Sequence, residues 1–134
     1  MLGAIPFPGN IKATKNFKDI IENYILKKHS ITIYPEAHIW PYYTKIRAFK
    51  DVSFKYPVEL NTPIFTITNT YQLIKKDKIK ITSYIEGPFY PNMNLSKKDA
   101  QKELRDIAYN TMCECSKNSN YEHIKYIEKV LNII

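Results

Sequence analysis

The stretch of this chain best suited to chemistry runs from Ser30 to Tyr43 and reads SITIYPEAHIWPYY. A short β-branched run stops at Pro35, and a carboxylate and an imidazole follow it at Glu36 and His38. A carboxylate placed directly after a buried strand needs a hydrogen-bond donor or a cation as its partner. Since ligands of open α/β sheets bind beyond the carboxyl ends of the strands, this position predicts a binding site.

Composition favours one folded domain with anionic partners. The 134 residues suit a single core, and the 44% hydrophobic and 13% aromatic content excludes disordered and collagen-like chains. Twenty basic against 13 acidic residues give a net charge of +7, which favours phosphates, nucleic acid or an acidic membrane surface. The codon usage of an AT-rich genome is an alternative source of the lysines. No segment approaches the ~20 apolar residues of a membrane span, and Cys113 and Cys115 are expected to be reduced, structural thiols.

Periodicity predicts that strands and helices alternate along the chain. In chain order the predicted elements are a strand in MLGAIPFPGN, a helix with Thr14 as N-cap, a strand in SITIY, a helical patch interrupted at Pro57, strands in PIFTITNTY and KIKITSYIEG, and helices from Ser96 and Tyr121. Because the first three would form a βαβ unit, we predict an α/β fold with a mostly parallel sheet flanked by helices.

A family resemblance is carried by the segment IYPEAHIWPYYTKIRAFKDVSFKYPVELNTPIFTITNTY. It resembles the second half of the lysophosphatidate acyltransferase (1-acyl-glycerol-3-phosphate acyltransferase) family. That family has a strand ending in Pro-Glu-Gly-Thr-Arg, then Phe-Lys before a Gly-Ala-Phe helix start, then Pro-Ile or Pro-Val opening the next strand. One bacterial branch has Pro-Glu followed by His, a hydrophobic residue and Trp. The matching positions here are Tyr34, Pro35, Glu36, Phe49, Lys50, Asn61, Pro63 and Ile64, and LGAIPF and EGPFYPNMNLSKKDAQKEL are similar to flanking parts of that branch.

The resemblance implies a site for the phosphate of a lysophospholipid acceptor. Glu36 is retained, and a glutamate beside a cation fixes it through charge-assisted hydrogen bonds. The motif's arginine position holds Ile39, so the cations left to bind the phosphate are Lys45, Arg47 and Lys50. We therefore expect Arg47 or Lys50 to lie within ion-pair distance of the Glu36 carboxylate.

Histidine and aromatic side chains near this motif have two interpretations each. His38 either donates to a phosphate oxygen or packs under Trp40. Trp40, Tyr42 and Tyr43 either line an acyl-chain groove or a bilayer interface, or cap the edge of the sheet.

The family's catalytic dyad is missing from this sequence. In the family's Asn-His-x4-Asp motif, the histidine deprotonates the glycerol hydroxyl and the aspartate orients it. The residues five positions after His29, His38 and His123 are Tyr34, Tyr43 and Glu128. Pro8 and Gly9 stand about where the family's second motif has an arginine, and Val52 and Ser53 replace Gly-Ala. No residue of this chain is predicted to be catalytic, and the chain alone is expected to be inactive.

Taken together, the resemblance predicts that residues 1–134 are a single, incomplete acyltransferase domain with a partial glycerolipid acyltransferase fold. The complete enzyme of phospholipid biosynthesis would transfer an acyl group from acyl-CoA or acyl-carrier protein to a lysophosphatidate-type acceptor. This chain would supply the phosphate-binding half, with no cofactor or metal, and a complementary N-terminal fragment would be its partner. Its expected place is cytoplasmic, peripheral to the inner face of the cell membrane.

The alternative function is a non-catalytic basic module, a pseudoenzyme that binds an anionic membrane surface. Nucleic acid is not an expected partner, because the aromatic residues lack the spacing of base-stacking positions and no nucleic-acid-binding motif occurs.

Overall fold

A computed structural model describes residues 8–129 of the chain. Its elements, in chain order, are helix α1 (Ile11–Leu26), a 3-10 turn (Val52–Phe54), helix α2 (Lys55–Glu59), strand β1 (Ile64–Lys75), strand β2 (Lys78–Phe89) and helix α3 (Lys97–Ser116). Among the described residues no helix is both long and apolar enough to cross a lipid bilayer.

Helix α1 confirms the amphipathic pattern, although it begins earlier than predicted. Asn10, and not Thr14, is the N-cap, and its side-chain Oδ1 accepts a hydrogen bond from the backbone N–H of Ala13 at 2.8 Å. Phe17 and Ile21 are buried. The helix contacts α2 through an edge-on ring pair of Phe17 and Tyr56, and through an ion pair between Lys18 and Glu59.

Glu59 of α2 forms ion pairs with two lysines. Lys18 Nζ lies 3.0 Å from Glu59 Oε2, and Lys55 Nζ lies 3.8 Å from Glu59 Oε1. The hydrogen bond and charge of Glu59 raise the pKa of Lys18. Pro57 sits in the first turn of this short helix, where a backbone N–H has no partner within the helix in any case, so α2 forms in spite of it.

Helix α3 begins where the sequence predicts. Ser96 Oγ accepts from the backbone N–H of Asp99 at 3.1 Å and donates to its carboxylate at 2.7 Å. The core cluster lies between this helix and residues 49–58, the segment that precedes the hairpin, with Phe49, Phe54, Val58, Ala100, Leu104, Ala108 and Met112 buried. Arg105 fixes that segment, because its Nε donates to the carbonyl of Phe49 at 2.9 Å.

Strands β1 and β2 form an antiparallel hairpin whose inner face packs against α3. Thr66, Thr68 and Thr70 are buried on this face, and they alternate with outward side chains as a strand requires. The paired residues include Ile67 with Ile85 and Thr70 with Thr82.

The predicted mostly parallel sheet is wrong, since the described sheet has two antiparallel strands. Only Lys76 and Asp77 join β1 to β2, and so short a connection allows an antiparallel hairpin but not a parallel crossover. The segment Ser30–Tyr34 is not a strand, because no described segment pairs with it and an unpaired strand is unstable. The first predicted strand, which would have paired with it, falls in residues 1–7, and these lie outside the described residues.

The helix predicted from Tyr121 is also wrong over residues 121–129, which form no regular element. The remainder of that prediction, including Leu131, lies outside the described residues. This segment instead runs along β1 and packs against the aromatic loop, so tertiary contacts override its weak helical periodicity.

We predict that Thr68→Val stabilises the protein and that Thr70→Val destabilises it. The buried Thr68 hydroxyl has no hydrogen-bond partner among the described residues, so a valine of the same shape removes a desolvated polar group and adds about 1 kcal/mol. The Thr70 hydroxyl donates to the carbonyl of Thr82 and accepts from Gln72, so its loss costs about 1–3 kcal/mol.

Urea unfolding of the two variants checks this pair. Because both changes remove the same hydroxyl from the same sheet face, a shift of equal sign in both would contradict the assigned hydrogen bonds.

Candidate functional site

The predicted site is a surface loop between α1 and the 3-10 turn, and two tight turns shape it. The backbone N–H of Ala37 donates to the carbonyl of Tyr34 at 3.2 Å, and that of His38 donates to the carbonyl of Glu36 at 2.8 Å. A second turn closes where the N–H of Tyr43 donates to the carbonyl of Trp40. We call residues 34–47 the aromatic loop.

Glu36 closes the aromatic loop by a side-chain to backbone bond. Its Oε2 accepts from the backbone N–H of Arg47 at 2.8 Å. The ion pairs among residues 8–129 do not include Glu36, so the expected salt bridge with Arg47 or Lys50 is not formed. A hydrogen bond from an amide N–H to a carboxylate is still charge-assisted, and this one fixes the position of the Arg47 backbone.

The Arg47 guanidinium lies over the ring of Trp40, with Cζ 4.2 Å from the ring centroid. Contacts of this kind contribute about 0.5–2 kcal/mol, and more as they are desolvated. Arg47 Nη1 is buried and has no hydrogen-bond partner among the described residues. The site thus contains a positioned cation; since Nη1 is enclosed, an anion has to contact the other donors of the guanidinium.

The other predicted site residues are exposed. His38, Lys45 and Lys50 each face solvent, and none of them forms an ion pair within residues 8–129. Nor does His38 make a ring contact with Trp40 among the described residues, so the predicted packing of His38 is not observed. The loop therefore brings together Glu36 and Arg47, and leaves the remaining predicted residues at its rim.

The aromatic residues of the loop pack on one another and on the C-terminal strap, which we define as residues 118–129. Tyr126 of the strap stacks on Trp40 with a centroid separation of 5.0 Å and an interplanar angle of 13°. Its hydroxyl donates to the carbonyl of Pro41 at 2.8 Å. Tyr43 completes a three-ring cluster with edge-on contacts to both other rings. This packing favours the structural interpretation of these aromatics.

Tyr71 of β1 connects the loop, the strap and the hairpin. Its carbonyl accepts from the backbone N–H groups of Asn120 and Tyr121, and its ring lies 5.5 Å from that of Tyr42. Burial raises the pKa of Tyr71, and negative charge at Tyr42, Tyr126 and Glu36 raises it further. The aromatic loop is thereby seated on the hairpin.

Sequence reasoning missed the contribution of the strap. Tyr126 and Pro41 are 85 positions apart, and no local pattern relates two residues at such a distance. The excess of tyrosine, 11 in the chain, was the available signal, because tyrosine combines a stacking ring with a hydroxyl donor.

The described residues offer no clear place for a metal ion. Within residues 8–129 no three His, Cys, Asp or Glu side chains converge. Both cysteines are free; burial raises the pKa of the Cys115 thiol, and the neighbouring Cys113 raises the pKa of Tyr109.

We predict that Tyr126→Ala exposes Trp40, because it removes both the stacked ring and the hydroxyl bond to Pro41. Trp40 is the single tryptophan of the chain, so acrylamide quenching of its fluorescence should rise and its emission should shift to the red. Tyr126→Phe keeps the ring, and we expect it to lose at most about 1 kcal/mol of stability with little change in quenching.

Tyr34→Ala is the matched control, because the exposed Tyr34 ring makes no contact with Trp40. Equal quenching in Tyr126→Ala and Tyr34→Ala would contradict the packing of the strap on the loop.

Comparison of the chain with protein-family models, with curated proteins and with solved structures found no match.

Proposed function

We propose that this chain supplies the phosphate-binding half of a glycerophospholipid acyltransferase. The complete enzyme would transfer an acyl group from acyl-CoA or acyl-carrier protein to a lysophosphatidate-type acceptor. The observation that carries the proposal is how Arg47 is held in the aromatic loop. Its backbone is fixed by Glu36, its guanidinium lies over Trp40, and its buried Nη1 has no partner among the described residues.

Arg47 is suited to replace the arginine that the family motif has at position 39. Ile39 is 89% exposed and offers no donor, whereas Arg47 is drawn to the same loop by Glu36. Because the carboxylate binds the backbone N–H and not the guanidinium, it leaves the side-chain donors of Arg47 unoccupied, and those other than the buried Nη1 are the ones proposed to bind the phosphate. A guanidinium presents them in a planar fork that matches two oxygens of a phosphate monoester.

The backbone after Glu36 also supports the resemblance. The family motif has glycine directly after Pro-Glu, and Ala37 stands there in this chain with φ of 63°. Side chains other than glycine rarely adopt this left-handed conformation, so the loop keeps a shape that glycine would favour. This support is independent of the sheet, whose strand order the proposal does not use.

Catalysis requires a base that this chain does not provide. A positioned base contributes typically ~10²–10⁴-fold to such a proton transfer, and binding of substrate alone does not accelerate it. We therefore assign the base to a second segment, which carries the family's Asn-His-x4-Asp motif. Acyl transfer by the chain alone that disappears in His38→Ala would contradict this assignment and make His38 the base.

The acceptor of such an enzyme is a lipid, so the proposed place of action is the cytoplasmic face of the cell membrane. The net charge of +7 adds attraction to anionic lipid. The same charge also fits the second candidate function, a basic module without catalysis, and an exposed apolar face of the hairpin favours membrane contact in either case. Specific binding of a phosphate monoester at Arg47 distinguishes the first function from the second.

We predict that the chain binds glycerol 3-phosphate and that Arg47→Gln weakens this binding by about tenfold or more, since a charge-assisted contact to phosphate contributes about 1.5–3 kcal/mol. The affinity of Arg47→Lys should lie between those of the unsubstituted chain and Arg47→Gln, because lysine keeps the charge but lacks the planar fork of donors. Glu36→Ala should also weaken binding, since it releases the Arg47 backbone. Isothermal titration calorimetry measures all four proteins.

Lys102→Gln is the matched control, because it removes one positive charge from an exposed position on α3 that forms no ion pair within residues 8–129. Equal weakening in Arg47→Gln and Lys102→Gln would mean that net charge, and not a site at Arg47, attracts the phosphate.

A further inference from the structure

The hairpin has a second face, which nothing within residues 8–129 covers over most of its length. We define the outer face as the exposed apolar side chains of β1 that alternate with its buried threonines, together with the exposed apolar side chains of β2 on the same side of the sheet. Its members are Phe65, Ile67, Leu73, Ile81 and Ile85. Antiparallel sheets in water have a polar outer face as a rule, so an apolar one indicates a partner.

The outer face carries no charged side chain along its length. Ile67 and Ile85 form a cross-strand pair and are 54% and 64% exposed. The polar residues in the middle are Asn69 and Ser83, and they satisfy each other through a hydrogen bond of 2.6 Å. Loss of water from this face therefore buries no charge, and the hydrogen bond between Ser83 and Asn69 is kept.

Positive charge lies at one end of the outer face. The tip of the hairpin, residues 75–78, consists of three lysines and one aspartate, and all four are exposed. Lysine stems can lie along an apolar surface while the ammonium groups reach anionic headgroups. An apolar face with a basic end is the combination that holds proteins at anionic lipid surfaces.

We infer that the outer face of the hairpin docks on an anionic lipid surface. A second copy of the chain fits less well. Each of the five side chains exposes about half its surface, so the face offers on the order of 400–500 Å², short of the ~800 Å² per partner of a stable protein interface. Two chains of net charge +7 also repel each other, whereas anionic lipid attracts both the face and its basic tip.

Docking on this face also orients the candidate phosphate site. Tyr71 lies on the outer side of β1 between Asn69 and Leu73, and its ring contacts Tyr42 of the aromatic loop, so the loop sits beside the docking face. The Arg47 guanidinium would then lie close to the headgroups of the surface. In this respect the inference deepens the proposed function and rests on it, although the docking itself does not require acyl transfer.

Co-sedimentation with vesicles tests the inference. The full chain should bind vesicles of phosphatidylcholine with about one third phosphatidylglycerol, bind vesicles of phosphatidylcholine alone much less, and be released as salt screens the lysines over ~8 Å. Ile85→Glu and Ile67→Glu should each reduce binding by about tenfold, because a carboxylate opposes insertion of the face. Both positions are exposed, so folding should be retained.

Ile11→Glu is the matched control, since Ile11 is 91% exposed on α1 and the substitution changes charge equally. Equal loss of binding in Ile11→Glu and Ile85→Glu, or equal binding to both kinds of vesicle, would overturn the inference. So would a dimer, seen by analytical ultracentrifugation, that Ile85→Glu dissociates while vesicle binding persists.

The same proteins separate this inference from the proposed function. Ile85→Glu should lose vesicle binding and keep its affinity for glycerol 3-phosphate, whereas Arg47→Gln should do the opposite. Vesicle binding through the outer face without any glycerol 3-phosphate binding would remove the proposed function and leave the docking intact.

Discussion

The site depends on one hydrogen bond, from the backbone N–H of Arg47 to the carboxylate of Glu36. It closes the aromatic loop without occupying the guanidinium, which is left to lie over Trp40. A conventional salt bridge between the same two side chains would neutralise the cation and occupy up to two of its five N–H donors. Because the carboxylate takes the amide instead, the loop can be both rigid and able to bind an anion.

The rest of the chain supports that loop from two sides. Behind it, the strap supplies the ring of Tyr126, which stacks on Trp40 and bonds to Pro41. Beneath it, Tyr71 ties the loop and the strap to the hairpin, which α3 holds in turn through the buried threonines. The same hairpin presents the outer face, so the candidate phosphate site and the proposed docking face share one support.

Local patterns predicted the elements, while contacts distant in sequence decided the architecture. The spacing of Phe17 and Ile21, and the cap at Ser96, identified α1 and α3 because a helix is specified by neighbours within a few turns. The predicted parallel sheet is wrong because the two-residue turn between Lys75 and Lys78 allows only antiparallel pairing, and because Ser30–Tyr34 has no partner strand among the described residues. Within the site, sequence selected Glu36 and Arg47, but it could not show that a backbone N–H joins them or that Tyr126 covers Trp40.

A nuclear magnetic resonance titration of the ¹⁵N-labelled chain with glycerol 3-phosphate tests the central claim most directly. The backbone N–H of Arg47 should be protected from hydrogen exchange throughout, because Glu36 binds it, and the Arg47 Nε–Hε resonance should shift saturably as phosphate binds. An unprotected Arg47 amide, or a titration that shifts lysine resonances and leaves the Arg47 side chain unchanged, would contradict the account.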